Sequence, residues 1–160
     1  MKWKTNQGVY YVQDSLWWRL VCFYLSSSRG LFLQHDGVFF PCENWNDLPV
    51  AMLEGWCEEI ATSLAENETI DLWFLDGDYM VRLFPCSEDM FHIEFVEDKG
   101  LESERIVDTF DIEAKIFLQE VLDALDVCIA FETDRGKSTE KLHAAKETIL
   151  QLKRRWIYAK

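Results

Sequence analysis

The residues of this sequence best suited to chemistry are its three histidines, its five cysteines and several pairs of carboxylates. The His-Ile-Glu run at 92–94 matches the H-x-E that begins the zinc deaminase signature, which also needs Pro-Cys-x-x-Cys further along the chain. Both Pro-Cys pairs, at 41–42 and 85–86, lie upstream, and neither has a cysteine three residues later. A deaminase centre is therefore excluded, and the His-Ile-Glu run is expected to place its two polar side chains on the wet face of a strand.

The cysteines form no recognisable nucleophile or metal motif. They are widely spaced, without Cys-x-x-Cys, at Cys22, Cys42, Cys57, Cys86 and Cys128. No local signature pairs one of them with a histidine, and G-x-S-x-G, Walker and G-x-G-x-x-G motifs are absent from the sequence. We therefore expect five reduced, mostly buried thiols, no cofactor and no enzymatic activity.

The paired carboxylates give a weak metal signal. Asp76-Gly77-Asp78 matches only the first three positions of a calcium loop, because glycine is missing at its sixth position and apolar residues stand at its fifth and ninth. An Asp-Gly pair between apolar runs is also typical of a hairpin turn, since glycine accepts a positive φ. The hairpin explains these residues, and no metal site is predicted.

The elements that would position these residues begin with strands over 9–40. The segment 16–25 is apolar at alternate positions on both faces, which suits a central strand, and a buried helix stays open as an alternative. Asp36-Gly37 predicts a hairpin turn between two apolar runs. A helix over 47–66 follows, with an apolar residue at every fourth position and Asn46 or Asp47 as its cap.

The clearest stretch is a three-stranded β-meander over 70–96, in which apolar and polar residues alternate. Helices over 111–131, capped by Asp111, and over 139–158 end the chain, and a weak edge strand is conceivable near 105–109. The chain is predicted to be a single domain, 1–160, with an α+β fold. A mainly antiparallel sheet of hairpins and a meander packs against one mid-chain helix and a C-terminal antiparallel helix pair.

The last helix carries an apolar seam with steps of three and four residues. The seam consists of Leu142, Ala145, Ile149, Leu152 and Trp156. Such spacing packs one helix against another, and packing inside the chain is favoured over packing against a second copy. A homodimer through this seam remains an alternative.

Charge is the strongest compositional signal. The net charge is −13, and residues 41–134 carry twenty-five acidic and four basic side chains, whereas both ends of the chain are mildly basic. An acidic field repels phosphates and attracts basic partners, so nucleic-acid binding is not expected and a basic protein partner is. The sequence has no export signal and no apolar run near the roughly 20 residues of a membrane helix, which predicts a cytoplasmic protein without membrane contact.

The acidic meander from Ile70 to Val96, followed by the helix at 111–131, resembles the layout of small bacterial toxin-immunity proteins. The resemblance implies a non-enzymatic inhibitor whose acidic face covers a basic toxin, such as a nuclease. We expect that face at the edge of the meander, with Trp45 as an exposed aromatic contact. Its acidic members would be Asp76, Asp78, Glu88, Asp89, Glu94, Glu97 and Asp98.

Two other classes of function stay open. The first is a phage or host regulatory protein that inhibits a nucleic-acid enzyme, which would need regular carboxylate spacing along an elongated body. The second is a small enzyme or ligand-binding domain, which would need a cleft between the sheet and the helices with converging histidine, cysteine or carboxylate side chains.

Overall fold

The computed structural model describes residues 2–5, 8–11, 18–25, 27–87, 89–100 and 104–158, with side chains from residue 18 to residue 155 of these ranges. Three parts of the chain on which predictions above depend lie outside this description: Glu88, residues 16–17 and the side chain of Trp156. The elements are β1 (Lys2–Thr5), β2 (Gly8–Tyr11), β3 (Trp18–Tyr24), β4 (Arg29–His35), β5 (Val38–Phe40), α1 (Pro49–Ala65), β6 (Ile70–Trp73), β7 (Tyr79–Ser87), β8 (Met90–Glu97), β9 (Arg105–Glu113), α2 (Ala114–Asp134) and α3 (Glu140–Tyr158).

The predicted α+β fold is confirmed, and its strands divide between two antiparallel sheets. The first sheet has the order β1-β2-β3-β4-β5 and the second has the order β6-β7-β8-β9. In both sheets every neighbour in space is a neighbour in sequence, so short hairpins make the connections. The turn at 36–37 has positive φ at both residues, as the Asp-Gly pair predicted.

Strand β3 resolves the alternative between strand and helix, because it lies between β2 and β4 in the first sheet. Leu20 and Cys22 face the main core, whereas Val21 and Phe23 face a smaller apolar cluster on the other side. A strand covered on both faces needs an apolar residue at every position, which explains the apolar run from Leu20 to Tyr24.

The second sheet has one inner and one outer face. Phe91, Ile93 and Phe95 of β8 point into the core and are fully buried, while His92 and Glu94 point outward. The alternation is that of an antiparallel sheet with one wet side. This sheet therefore presents a face that the rest of the described chain does not bury completely.

The boundary between β9 and α2 corrects two predictions. Strand β9 extends through Glu113, and α2 begins at Ala114, so Asp111 lies in the sheet and caps no helix. Phe110 and Ile112 alternate into the core, and Phe110 pairs with Ile93 of β8. Burial of these two side chains, at roughly 1.5–3 kcal/mol each, favours continuing the strand over starting the helix.

The helices cover the sheets. Helix α1 packs on β6, α2 packs on β3, and α3 packs against both helices. Lys146 of α3 pairs with Asp126 of α2 at 2.7 Å, and Lys153 further along α3 bonds to Gln119 earlier in α2. Contacts that run in opposite directions along the two helices establish the predicted antiparallel pair. No helix among the described residues has the length and apolar character needed to cross a membrane.

Stacked aromatic rings join the two sheets through the core. Phe40 of β5 stacks on Phe95 of β8 with ring centroids 4.8 Å apart, and Trp18 of β3 lies 5.3 Å from Phe110 of β9. Aromatic pairs of this kind contribute about 0.5–1.5 kcal/mol beyond the area they bury. They hold the second sheet in a fixed position, and with it the geometry of its outer face.

Candidate binding surface on the second sheet

The predicted acidic face does not form one patch. Asp76 and Asp78 are exposed in the β6–β7 turn, and the backbone N–H of Asp98 donates to the carbonyl of Asp78 at 2.8 Å. Asp89 lies in the turn at the other end of β8, where its carbonyl accepts from Ala114 at 2.7 Å. Strand β8 has eight residues, and a strand rises about 3.3 Å per residue, which places the two groups roughly 25 Å apart.

Two of the predicted carboxylates already have partners. Glu97 contacts Arg105 at 3.2 Å and Lys99 at 3.4 Å, and Asp98 accepts from the backbone N–H of Gly100 at 3.0 Å. Each of these contacts offsets part of the negative charge. Asp76 and Asp78 therefore give the β6–β7 end most of its open acidic surface.

Trp45 was predicted as an exposed contact, and the structure places it as a half-buried packing residue. Its ring meets Tyr79 edge-on at 5.3 Å, and its indole N–H donates to Asp47 at 3.3 Å. A Cβ added at Gly77 would lie 3.3 Å from the Trp45 ring. The residue holds the β6–β7 turn against the first sheet and offers only part of its ring to a partner.

Asp47, one of the two residues predicted to cap the mid-chain helix, is instead a structural carboxylate. It is buried, and its oxygens accept from the backbone N–H groups of Leu48 at 2.8 Å, Leu75 at 3.1 Å and Asp76 at 3.2 Å. Helix α1 itself has no side-chain cap. The carboxylate instead joins the chain before α1 to the β6–β7 turn.

The outer face of the second sheet carries an apolar row that runs across its four strands. The strand register sets Trp73 beside Met80, Met80 beside Val96, and Val96 beside Ile106. The ends of the row, Trp73 and Ile106, are 44% and 43% exposed, whereas Met80 and Val96 are buried. At about 4.8 Å per strand, the two exposed ends lie roughly 14 Å apart.

An ionic clamp lies next to this row. Arg82 donates to both carboxylate oxygens of Glu104 at 2.8 Å and to Asp71 at 2.8 Å, and its guanidinium lies 3.9 Å from the sulfur of Met80. The hydrogen bonds to Glu104 and then Asp71 raise the pKa of Arg82, and the bond from Arg82 lowers the pKa of Glu104. A bidentate pair fixes orientation as well as charge.

His92 connects the remaining acidic residues of this face. Its Nδ1 lies 2.7 Å from Asp111, and its Nε2 lies 3.9 Å from Glu94. Together with the clamp, the outer face carries four carboxylates: Asp71 and Glu104 bond to Arg82, Glu94 is the cross-strand neighbour of Arg82, and Asp111 contacts His92. The described face is therefore acidic, with one exposed apolar side chain at each edge.

The predicted seam on α3 lies inside the chain. Leu142 and Ile149 are fully buried, Leu152 is nearly so, and Ala145 is half-buried against the core. Helix α3 packs on α1 and α2 through this side, which satisfies the seam within one chain. Leu142, Ile149 and Leu152 are therefore used for packing within one chain.

Three thiols are buried in the main core, and two of them are in contact. The sulfurs of Cys22 and Cys128 lie 3.5 Å apart, and the hydroxyl of Tyr24 donates to Cys128 at 3.4 Å. Burial raises the pKa of Cys22 well above its usual value and the pKa of Cys57 to about 12. Protonated thiols are poor nucleophiles and metal ligands. Nowhere in the described ranges do three His, Cys, Asp or Glu residues converge to hold a metal ion.

The chain matches no protein-family model, no curated protein and no solved structure. The outer face must therefore be interpreted from its own chemistry. Sequence reasoning missed Trp73, Ile106 and the clamp of Arg82 with Glu104. The alternation in β6 would have placed Trp73 on the wet face, but only the register across all four strands brings these residues together.

Proposed function

We propose that this protein is a non-enzymatic binding module that takes up a basic protein on the outer face of its second sheet. A toxin inhibitor, covering a basic toxin such as a nuclease, is the most specific form of this proposal. The observation that carries it is the combination of two exposed apolar side chains, Trp73 and Ile106, with acidic residues on the same face of the sheet. Aromatic anchors within a polar frame are the usual composition of binding hot spots.

The anchors are held in place before any partner arrives. The carbonyl of Trp73 accepts from the indole N–H of Trp56 at 2.7 Å, which fixes the end of β6 to α1. The Arg82–Glu104 clamp fixes the centre of the face in the same way. A rigid surface loses little conformational freedom on binding, and more of the contact energy then appears as affinity.

Charge supports a basic partner over an acidic or neutral one. The carboxylates of Glu94 and Asp111 lie on the face, and the open carboxylates of Asp76 and Asp78 lie beyond its β6–β7 end. Such a field steers a cationic partner and speeds its association at low salt. The phosphate-mimic alternative receives less support, because ion pairs already occupy Glu97 and Glu104.

The test combines capture with a matched pair of variants. An extract of the cells that encode the chain is passed at low salt over immobilised wild-type protein, Trp73→Ala and Leu48→Ala. Leu48 is 48% exposed, and it lies at the start of α1, away from the outer face. We expect one basic protein that wild type and Leu48→Ala retain and that Trp73→Ala loses. Trp73→Ala should bind the purified partner with a Kd at least roughly thirtyfold weaker than wild type, which is the effect of removing a hot-spot residue.

Two further measurements make the result decisive. Neutralising Glu94 and Asp111 together should lower the association rate and flatten its salt dependence. A toxin partner should lose its activity in a mixture with wild type and keep it in a mixture with Trp73→Ala. Equal retention of the same protein by all three columns, or no basic protein retained by wild type, would overturn the proposal.

A further inference from the structure

A cleft of about 280 Å³ opens between the first turn of α1 and the last turn of α2. Tyr24, Arg29, Glu54, Glu132 and Lys137 line it together with the apolar start of α1. A second depression adjoins it and shares Tyr24 and Arg29. The cleft lies between sheet and helices, and the outer face of the second sheet contributes no residue to it.

One side of the cleft suits an anion. The first turn of α1, which lines it, has no side-chain cap and no acidic residue. Its free backbone N–H groups and the positive end of the helix dipole favour a negative group. Arg29 is exposed at the same cleft and makes no ion pair with a described residue. Lys137 is exposed beside Glu132, whose carbonyl accepts from the Lys137 N–H at 3.0 Å, and so lies at the α2 end of the cleft.

The other side suits a cation. Glu132 lies in the last turn of α2, is only 8% exposed, and makes no side-chain hydrogen bond or ion pair with any described residue. A carboxylate there meets the negative end of the helix dipole, and no basic residue occupies that turn. Burying an unpaired charge is costly. Glu54 of α1, half-buried, adds a second carboxylate to this side.

The floor of the cleft is fixed by aromatic packing. Tyr24 stacks on Phe131 with centroids 3.8 Å apart, and its hydroxyl points to Cys128 rather than into the cleft. Burial, then Cys128 and Cys22, and also Glu132, raise the pKa of Tyr24. The ring is therefore neutral and presents an apolar wall beside the two carboxylates.

We propose that this cleft binds a free α-amino acid. The ligand carboxylate would lie against the first turn of α1 and Arg29, and its ammonium would lie against Glu132 and complete the missing ion pair. Only a small zwitterion satisfies both sides at once. The volume, below the roughly 300–1,000 Å³ of sites for drug-sized ligands, fits an amino acid better than a nucleotide. This function is separate from protein binding on the outer face.

The test uses the full chain and the twenty common amino acids, each added singly at millimolar concentration and followed by amide NMR. At least one amino acid should shift the amides of Val50, Ala51 and Glu132. Removal of its amino group, amidation of its carboxylate, and Glu132→Gln should each weaken binding at least tenfold. Glu58→Gln, an exposed carboxylate on α1, is the matched control and should bind as wild type does, as should Trp73→Ala.

A second measurement is independent of which amino acid binds. Without ligand, Glu132→Gln should raise Tm by about 2–4 °C, the shift of roughly 1 kcal/mol for a chain of this size, because it removes an unpaired buried charge. A lowered Tm would mean that Glu132 stabilises the fold, and would overturn the proposal. So would the absence of shifts with all twenty amino acids, or unchanged affinity in Glu132→Gln.

Discussion

The two sheets of this protein use their alternating positions in different ways. In β3 of the first sheet, the side chains on both faces are buried, Leu20 in the main core and Phe23 in the smaller cluster opposite. In β8 of the second sheet, Ile93 is fully buried, whereas its neighbour Glu94 faces outward. The first sheet therefore buries both faces of its central strand, and the second leaves one face partly exposed.

Alanine substitutions along the two strands give the largest expected difference. Leu20→Ala and Phe23→Ala should each lower the free energy of unfolding by about 2–5 kcal/mol, because both sides of β3 leave a cavity. On β8, Ile93→Ala should cost as much, and Glu94→Ala should stay within about 0.5 kcal/mol. Urea denaturation of the four variants measures this, and a cost below 1 kcal/mol for Phe23→Ala would break the comparison.

An alkaline titration tests the core side of the first sheet. Since burial raises the pKa of Cys57 to about 12, the native state holds a proton that the unfolded state releases near pH 9. The unfolded state then binds fewer protons, so stability should fall as pH rises from about 9 to 12. In Cys57→Ala this slope should be shallower by up to about 1.4 kcal/mol per pH unit.

The matched control for that titration is Cys42→Ala, since Cys42 is exposed. Its slope should equal that of wild type between the same pH values. If Cys57→Ala also keeps the wild-type slope, the Cys57 thiol ionises in the native state as freely as in the unfolded chain.

The clamp on the outer face gives the smallest expected effect. A double-mutant cycle of Arg82→Met and Glu104→Gln should yield a small coupling energy that declines with added salt. The carboxylate of Glu104 is open to solvent, which limits what the pair contributes to stability. A coupling energy that does not change with added salt would mean that the outer face, like β3, is mainly structural.

The positions of apolar and polar residues along each strand predicted the difference between the sheets. The apolar residues on both faces of β3 predicted burial on both sides, and the alternation of β8 predicted one wet side. The boundary at Asp111 was wrong because an aspartate shortly before an apolar helical pattern is a typical helix start. Pairing with β8 decided between strand and helix, and pairing is a non-local contact.

The candidate sites were less predictable for a related reason. Carboxylates that are close in sequence, such as those of Asp78 and Asp89, lie at opposite ends of strand β7. The Arg82–Glu104 clamp joins residues 22 positions apart, and the cleft brings together Arg29, Ala51 and Glu132 from three separate elements. Spacing along the sequence does not predict such contacts, because they depend on the tertiary packing of α1 and α2.

Asp47 has a consequence for how the native state opens. Its carboxylate holds the N–H of Leu48 at the entrance to α1 and the N–H of Leu75, 28 residues along the chain, at the end of the second sheet. Both N–H groups bond to the same carboxylate, so a movement of Asp47 that exposes one of them to solvent also disturbs the hydrogen bond of the other. The two segments therefore form one cooperative unit of local unfolding, and the helix entrance and the turn should fray together.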